Sequence, residues 1–304
     1  MIKYRTYNHK NDLTKIRDFL VNNHKISYPF IWTFERWNYA YYFVRKIFGI
    51  TTSNWSESVG IWETGDGEIS SIVNSEASGR GEAFFQINRN YLAEIPFDEM
   101  FEFAERNLAL KKSHSSIVEL RILEGFETLE TIAMERGYIK NPDRTEITTS
   151  LDLHGKLTIP SLPQGFCISS MDIDDNTEKR ALVFAKAFGN YGTDEEVKSD
   201  LYLELQKSPD YRRELDVFVV SPENKFVSFC LIWYDKTNQI GILEPVGTDP
   251  DYRRKSLGKA VVFEAINRVQ NLGATKIIVG DGQQFYRSLC FETSHKYVIW
   301  TKEF

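Results

Sequence analysis

The sequence predicts an α/β chain of two tandem domains. Three observations predict it. Strand-like and helix-like segments alternate through both halves in the same order. A stretch with two prolines and a glycine, residues 157–165 (LTIPSLPQG), interrupts the pattern near the midpoint. The chain has 304 residues, more than one core usually serves, since domains commonly hold roughly 100–150 residues. Proline fixes φ and removes a backbone donor, so the interruption should continue neither strand nor helix. The expected division is a first domain 1–155, a linker 156–165 and a second domain 166–304.

In the second half, residues 166–171 read as a short strand. Asn176 is placed to cap a helix running to Lys186, and 194–206 is a second helix. Residues 215–220 and 226–234, rich in Val, Phe, Ile and Trp, read as neighbouring strands. The turn composition Ser221-Pro222-Glu223-Asn224 joins them. A third strand spans 239–246. A helix follows over 256–271, with Leu257, Val261, Ala265 and Val269 at the spacing of one helical face. Gly273 is a suitable stop. A buried-type strand at 276–279, a short helix at 283–289 and final strands from Phe291 complete this half. The first half repeats the order. Residues 2–7 are a strand, 12–22 and 34–46 helices, and 59–63, 68–74 and 82–88 strands. A helix at 98–110, a strand at 117–122, a helix at 128–135 and closing strands between 139 and 153 follow. The shared order points to a divergent duplication.

Composition removes several classes of function. The net charge is −6, and no dense Lys/Arg stripe offers a nucleic acid the basic face it needs. No run approaches the roughly 20 apolar residues that span a bilayer, so no membrane role is expected. The first residues, MIKYRTYNHKNDLTK, lack the apolar centre of a signal peptide. Cys167, Cys230 and Cys290 are few and scattered, which fits a reducing compartment. A cytoplasmic protein, monomeric or homodimeric, is expected. No Cys/His pair has metal-ligand spacing, so no metal is expected. The five histidines share no triad spacing and receive no role. Trp32, Phe34, Trp37, Tyr39, Tyr41, Tyr42 and Phe43 are expected to serve packing.

The segment that carries chemistry runs from Leu243 to Ala260, LEPVGTDPDYRRKSLGKA. A strand ends at Val246, a short basic loop follows, and a helix opens near Ser256. The first turn of a helix leaves about four N–H groups without intrahelical partners. Together with the helix dipole, these favour an anion. Small residues let the backbone approach a phosphate closely, and Arg253, Arg254 and Lys255 add positive charge. A solvated basic turn that only caps a helix would look similar over so short a stretch.

The longer context decides between them. Arg253-Arg254-Lys255-Ser256-Leu257-Gly258 resembles the coenzyme A loop, Arg/Gln-x-x-Gly-x-Gly/Ala, of the GNAT superfamily of N-acetyltransferases. Ser256 departs from the pattern, standing where a glycine is usual. A second segment, Phe285-Tyr286-Arg287-Ser288-Leu289-Cys290-Phe291, is similar to that family's Tyr-x-x-x-Gly-Phe, with Cys290 in place of glycine. As a thiol, Cys290 reads as a buried structural residue, since no histidine supports it as a nucleophile.

The resemblance implies two tandem GNAT-like domains, each a central mixed, mostly antiparallel sheet flanked by helices. It implies acetyl-CoA as donor and a small-molecule primary amine as acceptor, by direct transfer. The strand-end amides of Val246 and Thr248, with Gly247 between them, would pair with the pantetheine arm. Arg253, Arg254, Lys255, Ser256, Leu257, Gly258 and Lys259 would hold the pyrophosphate. Tyr286 would be the general acid for the departing thiolate, since a phenol can protonate it. An amine must be neutral to attack, and Glu244 is the candidate base. Strand alternation would set it on one face with Ile242 and Val246. Asp235, Asp281 and a water chain are rival bases. An acyl-CoA-binding protein without turnover is the alternative reading.

The first half lacks these parts. After its third strand it reads Arg89-Asn90-Tyr91-Leu92-Ala93-Glu94-Ile95-Pro96-Phe97-Asp98, without glycine and with acidic residues at the helix start. Arg136-Gly137-Tyr138 corresponds to Leu289-Cys290-Phe291, which sets Ala133 at the position of Tyr286. A degenerate first domain is expected.

Overall fold

The computed structural model describes residues 1–77 and 81–304. The chain forms two compact units. One holds Met1–Thr148 with Thr293–Phe304, and the other holds Thr149–Glu292. The units therefore part at 148/149 and not at the proline-rich stretch, and the last strand belongs to the first unit. Residues 156–165 carry no helix or strand, as their prolines dictate, but run within the second unit. Composition locates an interruption. Long-range strand pairing decides membership.

In the first unit, β1 (Lys3–Thr6) precedes α1 (His9–Ser27), α2 (Phe34–Tyr39), α3 (Arg45–Ile47) and α4 (Thr52–Glu57). Strands β2 (Val59–Glu63), β3 (Ile69–Asn74) and β4 (Glu82–Ile87) follow, then α5 (Phe97–Phe103), β5 (Leu110–Lys111), β6 (Ser116–Leu123) and α6 (Glu127–Glu135). β1 through β4 pair antiparallel in sequence order, and β4 then pairs parallel with β6 at Glu82↔Glu119 and Ala83↔Leu120. The final strand, β13 (Glu292–Glu303), pairs antiparallel with β6, and β5 pairs with its beginning. Trp32, Phe34, Trp37, Tyr41 and Phe43 are buried, as their packing role required.

β7 (Ile139–Asp152) is one long strand rather than the several expected. Its residues 149–152 pair with β12 of the second unit. That unit runs β8 (Cys167–Ser170), α7 (Thr177–Phe188), α8 (Ser199–Leu205), β9 (Asp216–Val220), β10 (Phe226–Asp235), β11 (Ile240–Thr248), α9 (Leu257–Asn271), β12 (Lys276–Val279) and α10 (Gln284–Ser288). Pairing is antiparallel from β8 through β11, and parallel between β11 and β12.

The local chemistry explains these elements. Asn176 caps α7, its side chain accepting from the Lys179 amide at 2.9 Å. Gly189, at φ 77°, ends that helix. The predicted stripe of α9 (Leu257, Val261, Ala265 and Val269) is buried against β10 and β11. Nine of the ten residues of β10 are buried, because both of its faces are covered. Cys230 and Ile232 join the α9-side core, and Phe229 stacks with Phe184 of α7 on the other side.

Candidate active site

The second unit contains a cleft of about 690 Å³, within the range of small-molecule sites. Its walls are the end of β11, the loop into α9, the end of β12, the start of α10 and the last turn of α7. Glu244, Val246, Gly247, Thr248, Arg253, Arg254, Ser256, Leu257, Gly258, Lys259 and Tyr286 all line it. Lys255 is not among the lining residues. Its ammonium lies 5.0 Å from the Tyr252 ring centroid instead.

One edge of β11 is open where it borders the cleft. β11 pairs with β12 only over Ile240–Ile242, yet it continues to Thr248 beside β10. The Asp249 amide donates to Val227 of β10 at 3.0 Å, and the Ser228 hydroxyl donates to the Gly247 carbonyl. Residues 247 and 249 thus face β10, so Val246 and Thr248 turn their backbone groups to the open edge. Gly247 is required by packing: a Cβ there would lie 2.6 Å from the Phe229 ring and 2.8 Å from Ala187.

The loop into α9 is held at several points. Buried Asp249 pairs with Lys186 at 3.2 Å and accepts from the Asp251 amide. Arg253 donates to the carbonyls of Thr248 and Ala187 at 3.2 and 3.1 Å. It clips the loop to β11 and α7 while its side chain lines the cleft. Arg254 and Ser256 both adopt left-handed backbone, at φ 61° each. The loop therefore keeps the conformation a glycine would supply, without the glycine. The helical ladder opens with the Ala260 amide bonding the Ser256 carbonyl, and the Ser256 side chain caps no amide. The amides of Leu257, Gly258 and Lys259 precede that first rung. A Cβ on Gly258 would sit 3.3 Å from the Thr248 hydroxyl, so the helix start lies close against the strand end.

The other part of the cleft holds Glu244, Asp281 and Tyr286. Regular alternation fails at Glu244. Cys230 pairs with Val246, but Ile232 pairs with Leu243, so Glu244 and Pro245 together oppose Leu231. This bulge turns the strand over by one residue. Val246 therefore shares the α9-side core with Leu243, three positions away, rather than a face with Ile242. Tyr286 is 7% exposed. Burial pushes its phenol above its ordinary range, with Cys230, Glu244 and Asp281 adding to the effect. Its carbonyl accepts from the Phe291 amide at 3.1 Å, closing α10 around Cys290 at φ 69°. Cys290 is exposed, not buried as expected, because the left-handed turn carries it outward. Asp235 does not line the cleft. Its carboxylate accepts from the Asn238 amide and side chain in the β10–β11 turn.

The first unit differs at each corresponding point. Ser71↔Ile87 and Val73↔Phe85 match Ser228↔Thr248 and Cys230↔Val246 in pairing, but β4 has no bulge in its pairing with β3. The Ile87 amide, equivalent to that of Thr248, donates to Phe30 at 2.9 Å. The next helix, α5, starts with Asp98 and Glu99 and has no side-chain cap bond.

Residues missed from sequence are Ala187 and Phe188, which close the cleft from α7, and Phe285. Phe188 directly precedes the Gly189 stop, and an aromatic residue at a helix end beside a turn was the available signal.

Residues 184–289 match the model of the acetyltransferase (GNAT) family. No curated protein matches the sequence. Among solved structures, a GCN5-related N-acetyltransferase from Sphaerobacter thermophilus shares the fold with TM-score 0.62 and 15% identity, covering 99% of this chain and 95% of that one. A tandem GNAT protein from the clavulanic acid biosynthesis pathway gives TM-score 0.64 and 11% identity, covering 100% and 98%. Saccharomyces cerevisiae N-myristoyltransferase with bound myristoyl-CoA gives 0.53 and 11%, covering 99% and 78%. The family match thus falls within the second unit, and the chain shares the fold of a tandem GNAT structure.

Proposed function

We propose that the chain transfers an acetyl group from acetyl-CoA directly to the primary amine of a small molecule, using the second unit. One observation carries this reading. A single cleft joins the uncapped start of α9 and the open edge of β11 to Glu244 and Tyr286. Acetyl-CoA supplies an acyl group activated as a thioester. The residues present fit it: amides of Leu257, Gly258 and Lys259 for the pyrophosphate, with Arg254 and Lys259 as charge, and Val246 and Thr248 for the pantetheine amides. Arg253 shapes that cradle by tying its loop to β11 and α7. Glu244 accepts the proton that the attacking amine must shed. Tyr286, held protonated by burial, donates a proton to the departing sulfur.

The first unit serves no acetyl-CoA in this reading. Its equivalent strand edge is bonded to its own chain at Phe30, and its helix start is acidic.

The test is thiol release from acetyl-CoA over a panel of an aliphatic diamine, an aromatic amine, an amino sugar and a peptide N-terminus. Tyr286→Phe and Glu244→Gln are run beside the parent chain. Full rate in both variants would discard the residue roles. A second reading, acyl-CoA binding without turnover, is favoured by the depth at which Tyr286 is buried. Tight binding with no amine acetylated selects it.

A further inference from the structure

Glu244 sits in the irregular stretch of β11, so its direction depends on what holds the extra residue. A bulge interrupts the regular ladder and re-aims side chains. Here Trp233 on β10 holds it: the indole N–H donates to the Glu244 carbonyl at 2.7 Å. Trp233 is fully buried, and an indole offers one donor and no acceptor. Trp233 is itself braced. Tyr211 meets it edge-on, and the Tyr211 hydroxyl donates to Asp216 at 2.8 Å. Asp216 also accepts from Arg180 at 2.9 Å and from the Tyr202 hydroxyl. Arg180 and Asp216 are both wholly buried, with the guanidinium against the Phe229 ring at 3.9 Å. Breaking one side of such a pair is strongly destabilising, so the folded chain keeps this brace behind Trp233. Of all these groups only Glu244 lines the cleft.

We propose that Trp233 is a positioning residue. By holding the Glu244 carbonyl it fixes the bulged peptide, and with it the direction from which the Glu244 carboxylate meets the cleft. This rests on the reading of Glu244 as base. Peptide orientation and the Cα–Cβ direction turn together, so losing the bond swings the carboxylate. A misplacement of about 1 Å can cost up to ~100-fold in rate.

The test uses the full chain, acetyl-CoA and the panel amine turned over fastest. Trp233→Phe removes the donor. A benzothienyl-alanine at 233 removes it while keeping the ring shape, should Trp233→Phe fold poorly. Either change should lower kcat about 10-fold or more while leaving KM for acetyl-CoA nearly unchanged. In a Glu244→Gln background neither should slow the enzyme further, because coupled sites are not additive. Slowing by the same factor in both backgrounds would make Trp233 merely structural and overturn the proposal. If Glu244→Gln is slow but both Trp233 changes keep full kcat, the base stands and the positioning role falls. If Glu244→Gln keeps full kcat, the base reading itself falls and takes the proposal with it. Crystal structures give a readout free of activity: Glu244 should shift in the benzothienyl variant, and an unmoved Glu244 carboxylate overturns the proposal even if no amine is acetylated.

Discussion

Ala133 and Tyr286 accept the same hydrogen bond in the same kind of helix end. The Tyr138 amide reaches the Ala133 carbonyl at 2.9 Å, and the Phe291 amide reaches the Tyr286 carbonyl at 3.1 Å. Gly137 at φ 82° and Cys290 at φ 69° make the corresponding left-handed turns. The two units therefore keep one scaffold, and the phenol is present in only one. From this we expect calorimetry on the full chain to find a single acetyl-CoA per chain. The first unit should take none, because its Ile87 amide is bonded to Phe30. A second binding event would contradict this.

Ser256 and Cys290 hold left-handed backbone with side chains attached, which strains each by an amount of order 1 kcal/mol. Ser256→Gly and Cys290→Gly should each stabilise the chain by about 0.5–1 kcal/mol in urea unfolding. Ser256→Gly should leave KM for acetyl-CoA the same or lower. A loss of stability would show that the side chains matter more than the strain.

Arg253 and Arg254 should separate cleanly. Arg253→Ala removes the bonds to Thr248 and Ala187 and should lower stability without any ligand by about 1 kcal/mol. Arg254→Ala should leave unliganded stability intact and raise KM for acetyl-CoA. Thermal melts with and without acetyl-CoA check both.

Tyr286 predicts a particular pH profile. Burial raises its phenol above the ordinary value of 10.0, so it stays protonated through the usual assay range. Tyr286→Phe should lower kcat about 100-fold without moving any limb of the profile below pH ~10. A basic limb that disappears in the variant would refute the assignment.

His295 makes the first unit acid-sensitive. It lies between Tyr28 and Tyr297, and burial lowers its pKa from 6.5 to about 4. Below the unfolded value the unfolded chain takes a proton that the folded chain refuses, so stability falls as pH drops from 6.5 towards 4. The loss at pH ~4 is of order 3 kcal/mol. As pH falls from 6.5 towards 4, the urea midpoint of wild type should drop relative to that of His295→Gln. Parallel curves would contradict the assignment.

Much of this molecule was legible in local sequence. The α9 stripe, the Asn176 cap and the strand at 276–279 follow from periodicity and capping, which act over a few residues. Much of the cleft lining was legible because it is contiguous, from Val246 to Lys259. The Glu244 bulge was not, because alternation read along β11 alone cannot show that Leu231 faces two residues. Trp233 looked like any buried strand residue, since its partner is a backbone carbonyl on another strand. The placement of β13 with the first unit depends on pairing with β6, more than 170 residues away along the chain.

The most direct test of the account is a crystal structure with acetyl-CoA bound. The account predicts the pyrophosphate against the amides of Leu257, Gly258 and Lys259, the pantetheine arm along Val246–Thr248, and the thioester beside Tyr286. A pyrophosphate bound elsewhere, or a cleft left empty at saturating acetyl-CoA, would contradict it.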